Sequence, residues 1–197
     1  MTKSLNIGPI KFLALALLLA LGACKEEVTQ DVAPQEMTAE TLGHYCQMNL
    51  LEHPGPKAQV HLKGMPAPLF FSQVRDAIAY SRAPEQVAPI LAIYVNDMGR
   101  AGASWEKPGD GNWIDAKTAF FVVGSGREGG MGAPEAVPFA SQAAAEAFAR
   151  TEGGQVLELS AISDDMVLSP VDQAPATEMQ DDDLQNRLRA LPNSVGG

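Results

Sequence analysis

The chain has 197 residues, a formal net charge of −10 and two cysteines. A chain this acidic has no footprint for phosphate contacts, which excludes nucleic acid as a partner. With so few cysteines, stability must come from burial rather than from a disulfide framework, and roughly 130 residues of ordinary composition suffice for that.

Lys3 and Lys11 lead into a ten-residue apolar run, Phe12 to Leu21, followed by Gly22, Ala23 and Cys24. This is a secretory signal layout, and the run is shorter than the roughly 20 apolar residues a spanning helix needs. The small residues before Cys24 form a lipoprotein processing site. Residues 1–23 are therefore expected to be removed and Cys24 to carry lipid, with an uncleaved N-terminal anchor as the alternative. Loss of Lys3 and Lys11 takes the charge from −10 to −12. Lipoproteins kept at an inner membrane resemble one another in an Asp after the cysteine; Lys25 here favours a periplasm-facing anchor in the outer membrane. Residues 24–40 are polar and are expected to form the tether.

Thr41 to Leu51 reads as a first strand, and His53-Pro54-Gly55-Pro56 as a turn. Ala58 to Leu62 alternates as a half-buried strand does, and Leu69 to Phe71 is a short apolar strand. Ser72 is a plausible N-cap for a helix carrying Val74, Ala77, Ile78 and Ser81 at helical spacing. Ile90 to Val95 is a buried strand. After a linker loop, 98–112, the pattern resumes with one or two strands over Trp113 to Val123, a glycine-rich loop, and the extended Val137 to Phe139. Ser141 caps a second helix that ends at Gly153-Gly154, and Val156 to Leu159 is the last strand. Gly64-Met65-Pro66-Ala67-Pro68 recurs as Gly130-Met131-Gly132-Ala133-Pro134. Each copy is followed by an aromatic residue, a Ser-Gln pair (Ser72-Gln73, Ser141-Gln142), a helix and a strand. The expected fold is α+β, with two homologous ββαβ units at 41–97 and 113–168. The acidic tail, 169–197, is expected to be disordered, although Leu184, Leu188 and Leu191 would allow one amphipathic turn.

Once Cys24 carries lipid, Cys46 is the one cysteine left as a thiol. On a strand, Cys46 and Met48 point to one face with Cα atoms about 6.6 Å apart, so their sulfurs can converge on one ion. His44 shares that face but lies about 13 Å from Met48 along a regular strand. The bland alternative is a buried cysteine beside a core methionine. Thiolate and thioether form a soft set that favours Cu(I). Three histidines without paired spacing do not make a structural zinc site, and no EF-hand pattern is present. Met131, in Gly129-Gly130-Met131-Gly132, is the best third ligand, since its glycine neighbours are expected to leave it free and exposed. Met98, Met65 and His44 stand in reserve.

Gly124-Ser125-Gly126-Arg127-Glu128-Gly129 matches a dinucleotide-binding spacing, but no helix is expected after it to receive a pyrophosphate. Ser125 is not set in a nucleophile elbow. Asp164-Asp165 and Asp181-Asp182 read as solvent-facing.

The lipoprotein start, His44-Tyr45-Cys46-Gln47-Met48, Trp113-Ile114-Asp115-Ala116, Val122-Val123-Gly124-Ser125 and Gly130-Met131-Gly132 together resemble the NosL family. These are periplasmic copper-binding lipoproteins of the nitrous oxide reductase gene cluster. The resemblance runs from about Cys24 to Ser163. It implies two ββαβ units similar to the organomercurial lyase core, and Cu(I) delivery to the reductase's copper centres rather than catalysis. The reductase and its ABC-type maturation complex are the implied partners. Members usually read Cys-Gly-Met; Gln47 replaces that glycine here, which keeps both sulfurs but is expected to stiffen the turn. The expectation is a lipid-anchored Cu(I) chaperone acting in denitrification, with Cys46 and Met48 holding the ion and Met131 closing the site between the units. The alternatives are an interaction lipoprotein that binds no metal and an organomercurial lyase-like enzyme, against which a single free thiol argues.

Overall fold

A computed structural model describes residues 30–84 and 86–171. The signal segment, Cys24 and the tail with Leu184, Leu188 and Leu191 lie outside the described residues. The chain forms a mixed α/β domain with two antiparallel sheets. The first contains β1 (Ala58–Leu62), β2 (Leu69–Phe71), β3 (Ile90–Asn96) and β4 (Trp113–Asp115) in the order β2-β1-β3-β4. The second contains β5 (Phe120–Val123), β6 (Val137–Phe139) and β7 (Gln155–Glu158) in the order β6-β5-β7. Helix α1 (Val74–Arg82) joins β2 to β3, and α2 (Gln142–Glu152) joins β6 to β7. In both sheets, therefore, the first strand is central, its hairpin partner lies on one side, and the strand after the helix lies on the other.

The apolar patterns explain this arrangement. Val60, Leu62, Phe71, Ile78 and Val95 are fully buried in one core beneath α1, each stabilising the fold by roughly 1.5–3 kcal/mol of transfer free energy. On β5, adjacent residues face opposite ways, as strand geometry dictates. Phe121 joins this first core, while Val122 packs with Val137, Phe139 and Ala145 in a second. The second sheet is thus covered by α2 on one face and by the first unit on the other.

The structure departs from the sequence expectations at several points. Thr41 to Leu51 is not a strand; the backbone folds back on itself through a Leu42–Asn49 bridge and then forms a 3₁₀ turn, Leu50–Glu52. β1 is buried on both faces rather than half-buried. Its polar face is covered by the described part of the expected tether. Gln35 N–H donates to Gln59 Oε1 (2.8 Å), and Gln59 Nε2 donates back to Gln35 O (2.9 Å). His61 Nε2 contacts the same Gln59 oxygen at 3.0 Å, so both buried polar side chains on that face have hydrogen-bond partners. Trp113 to Val123 is two strands, and the earlier one, β4, pairs with β3 in the first sheet rather than with the second unit.

Helix α1 is capped at Gln73 rather than Ser72, and the Gln73 side chain makes no capping bond. In its place the buried Glu135 carboxylate, from the second unit, accepts Arg75 N–H at 2.9 Å. Ser141 caps α2 as expected, accepting Ala144 N–H at 3.3 Å. A short helix, α3 (Asp164–Leu168), closes the described chain against α1. Arg75 Nε and Nη2 donate to Val167 O (3.2 Å) and Ser169 O (2.7 Å), placing a cation on carbonyls a helix end leaves unpaired. Asp164 meets Arg82 at 3.4 Å on the surface. Among the described residues, no helix is long and apolar enough to cross a membrane.

Candidate metal centre

The segment carrying Cys46 is a closed loop. Gly43 N–H donates to Met48 O (3.0 Å), Gln47 N–H to Gly43 O (2.9 Å) and Leu50 N–H to Thr41 O (3.1 Å). Gln47 occupies the left-handed region at φ +54°, alone among the described non-glycine residues. That conformation costs an L-residue roughly 1–2 kcal/mol. The side chain offsets part of it, because Gln47 Nε2 donates to His44 O (2.7 Å) and Gly43 O (3.2 Å). The glutamine therefore makes the turn with its own amide braces where a glycine would make it without strain. A Cβ on Gly43 would collide with Cys46 Sγ; the thiol sits over a bare backbone. With the segment turned in this way, His44, Cys46 and Met48 do not follow the strand spacing the sequence suggests.

His44 ties the loop to the first sheet by donating its N–H to Phe70 O (2.6 Å). Its ring lies edge-on to Phe71 and Tyr80, with centroids 5.5 Å from each, and tilts against Tyr45 at 5.3 Å.

Met131 lies at the tip of a second loop. Glu128 and Pro134 bridge its stem, Gly129 N–H donates to Ala133 O (2.8 Å), and Gly132 N–H closes a turn onto Gly129 O (2.9 Å). The expectation that glycines leave Met131 conformationally free is corrected here. Gly129 and Gly130 are required by close approach: a Cβ on Gly130 would lie 2.8 Å from His53 Cβ, 2.9 Å from Ser72 O and 3.0 Å from Pro54 O. Met131 N–H donates to Gln73 Oε1 (3.0 Å), and His53 Nδ1 lies 3.0 Å from Gly130 O. The backbone is fixed while the side chain stays exposed. The Gly124–Gly129 pattern runs into this hairpin and not into a helix, which leaves no N-terminus for a dinucleotide.

The two loops are therefore anchored to the same short segment, Phe70 to Gln73. The methionines divide accordingly. Met48 and Met131 are 42% and 43% exposed, while Met65 packs against the first core and Met98 against the second. Cys46 is partly exposed. Among the described residues no group of three or more His, Cys, Asp or Glu side chains is placed to hold a metal. The available donors at the loops are soft sulfurs, which suit Cu(I) rather than a hard cation.

Sequence reasoning missed the groups that surround these loops. Lys57 is buried, with Nζ donating to Pro54 O (3.0 Å) and to Gly55 O. Burial lowers its pKa to about 8, against the opposing pull of Glu135 and then of Cys46. Burial pushes Glu135 up to about 8, although N–H groups of Arg75, Ala136 and Val74 bond its carboxylate. Its Oε2 has no hydrogen-bond partner. Gln73 is buried as well, its Nε2 donating to Asp76 Oδ1 (3.0 Å). The repeated Ser-Gln pair was the one sequence signal pointing at Gln73; nothing local marks Glu135 or Lys57.

The chain is similar to several known proteins. The family model described as NosL matches residues 34–167. A copper-binding lipoprotein NosL from Achromobacter cycloclastes is 66% identical over 189 residues, covering 95% of this chain and 98% of the relative. A copper-binding lipoprotein NosL from Stutzerimonas stutzeri is 38% identical over 160 residues, covering 80% and 81%. The crystal structure of the copper chaperone NosL from Shewanella denitrificans superposes with a TM-score of 0.61 at 33% identity, over 66% of this chain and 95% of that one.

Proposed function

This chain belongs to the NosL family, and from that premise we propose that it is a lipid-anchored, periplasm-facing Cu(I) chaperone and not an enzyme. Copper is its cargo. Cys46 and Met48 supply a thiolate and a thioether from one loop, and Met131 closes the site from the other. The observation that carries this reading is the pair of exposed methionines on two loops pinned to one strand end. An exposed methionine with a fixed backbone contributes little to a core but is poised to ligate. The sulfur set matches Cu(I), and a partly open site with few ligands lets copper leave by ligand exchange. The relatives are named lipoproteins, which supports lipid on Cys24; a polar tether reaching to about residue 40 and a place at the outer membrane, favoured by Lys25, complete the reading. The cargo goes to the copper centres of nitrous oxide reductase, through its ABC-type maturation complex. The two sheets, with one strand order, are read as a duplicated ββαβ unit similar to the organomercurial lyase core.

Anaerobic loading of the lipidated mature chain with Cu(I) or Zn(II), followed by chelator competition, tests the proposal. Tight retention of Cu(I) over Zn(II), abolished in Cys46→Ser, is expected. Equal retention of both metals, or copper binding unaffected by Cys46→Ser, would overturn it.

A further inference from the structure

The first unit holds the Met131 loop in place. Its tip is fixed at two points, the His53–Gly130 contact and the Met131 N–H bond to Gln73. The second is the more specific. Gln73 is 2% exposed, and its carboxamide is oriented from behind: Nε2 donates to Asp76 Oδ1, which leaves Oε1 turned toward Met131. Gly129 packs so closely on this side chain that a Cβ there would lie 2.7 Å from Gln73 Oε1 and 2.8 Å from Gln73 Cβ. Gln73 begins one residue beyond Ser72, whose carbonyl lies under Gly130, and three residues beyond Phe70, whose carbonyl holds His44. One short segment thus fixes the backbone of both sulfur-bearing loops. As the N-cap of α1, Gln73 makes no side-chain capping bond; its amide is committed to the Asp76 side chain and to Met131.

We propose that Gln73 is the positioning residue for Met131, setting its thioether relative to Cys46 and thereby the strength of copper binding. The proposal rests on the assignment of Met131 as a ligand. Gln73 touches no metal; it acts through the Met131 backbone, as groups behind a ligand do when they fix its orientation.

A double-mutant cycle on the lipidated mature chain in detergent tests it, with Cu(I) affinity measured by anaerobic chelator competition. Gln73→Leu keeps the buried volume and removes the acceptor. It should weaken Cu(I) binding by about 10–100-fold, the usual range for a group that orients a ligand. In a Met131→Ala background the same change should have no further effect, because the residue it positions is gone. In Gln73→Asn the amide is one methylene too short to reach both partners, so copper binding should weaken similarly; this variant decides the matter if Gln73→Leu does not fold. The ¹³C-methyl resonance of Met131, which should shift on copper loading in the parent, should shift less in Gln73→Asn. Unchanged copper affinity in either Gln73 variant, or the same loss with and without Met131, would overturn the proposal. Met131→Ala binding copper as tightly as the parent is a separate result: it would remove Met131 from the site, and the proposal with it.

Discussion

Replacing Glu135 by Gln should abolish a pH dependence that the buried carboxyl imposes on folding. Its pKa rises from 4.5 to about 8 on burial. Below pH 4.5 the group is neutral in both the folded and unfolded states and has no effect. Between 4.5 and 8 the unfolded chain ionises while the folded chain keeps its proton, so stability falls as pH rises. At 1.36 kcal/mol per unit, the 3.5 units between 4.5 and 8 amount to about 5 kcal/mol as a ceiling, a large part of the usual 5–15 kcal/mol of a domain. Lys57 acts on the other side. Its pKa falls from 10.5 to about 8, so its penalty is full below 8 and is relieved as pH rises toward 10.5. The apo protein should therefore be least stable near pH 8. Glu135→Gln keeps an acceptor oxygen for Arg75 N–H and Ala136 N–H and removes the acid limb. Urea unfolding at pH 4.5, 6 and 8 measures this: parent and variant should agree within about 1 kcal/mol at pH 4.5 and diverge by several at pH 8 in the variant's favour. Parallel curves at all three pH values would refute a neutral, buried Glu135.

At position 47, the left-handed backbone should invert the usual ranking, with Gln47→Gly more stable than Gln47→Ala by about 1 kcal/mol in thermal or urea melts. Gly130→Ala forces the Met131 loop off His53 and Ser72 and should cost about 1–3 kcal/mol with weaker copper binding; at Gly132, where a Cβ meets nothing within 4 Å and only φ +75° opposes it, alanine should cost about 1 kcal/mol and leave copper binding intact, as calorimetry with Cu(I) would show. Gly43→Ala should displace the Cys46 thiol and slow its reaction with a thiol reagent while the fold is retained, which comparison of labelling rates and melting curves checks.

The strands and helices were legible wherever local chemistry decided them: the apolar run of β3, the caps and glycine stop of α2, the alternation of β1. The Cys46 segment was not. His44, Cys46 and Met48 alternate as strand residues do, and nothing in the letters reveals that Gln47 turns left-handed and braces itself on two carbonyls. The two-sided burial of β1 depends on Gln35, 24 residues upstream of Gln59, and β4's choice of sheet depends on a pairing with Asn96 across a loop. The candidate sulfurs could be named from ligand chemistry alone, and the exposure of Met131 was foreseeable from its glycines, though the reason those glycines are needed was not. Gln73, His53 and Glu135 act across 58 to 77 residues of sequence, a separation at which residue pattern carries no signal.

The central claim, that copper sits between two loops on sulfur from both, is tested most directly by X-ray absorption at the copper edge of the anaerobically Cu(I)-loaded chain and its Met131→Ala variant. The account predicts a first shell dominated by sulfur in the parent and one sulfur fewer in the variant, with Cys46 and Met48 remaining. A shell of nitrogen and oxygen, or a sulfur shell unchanged by loss of Met131, would contradict it.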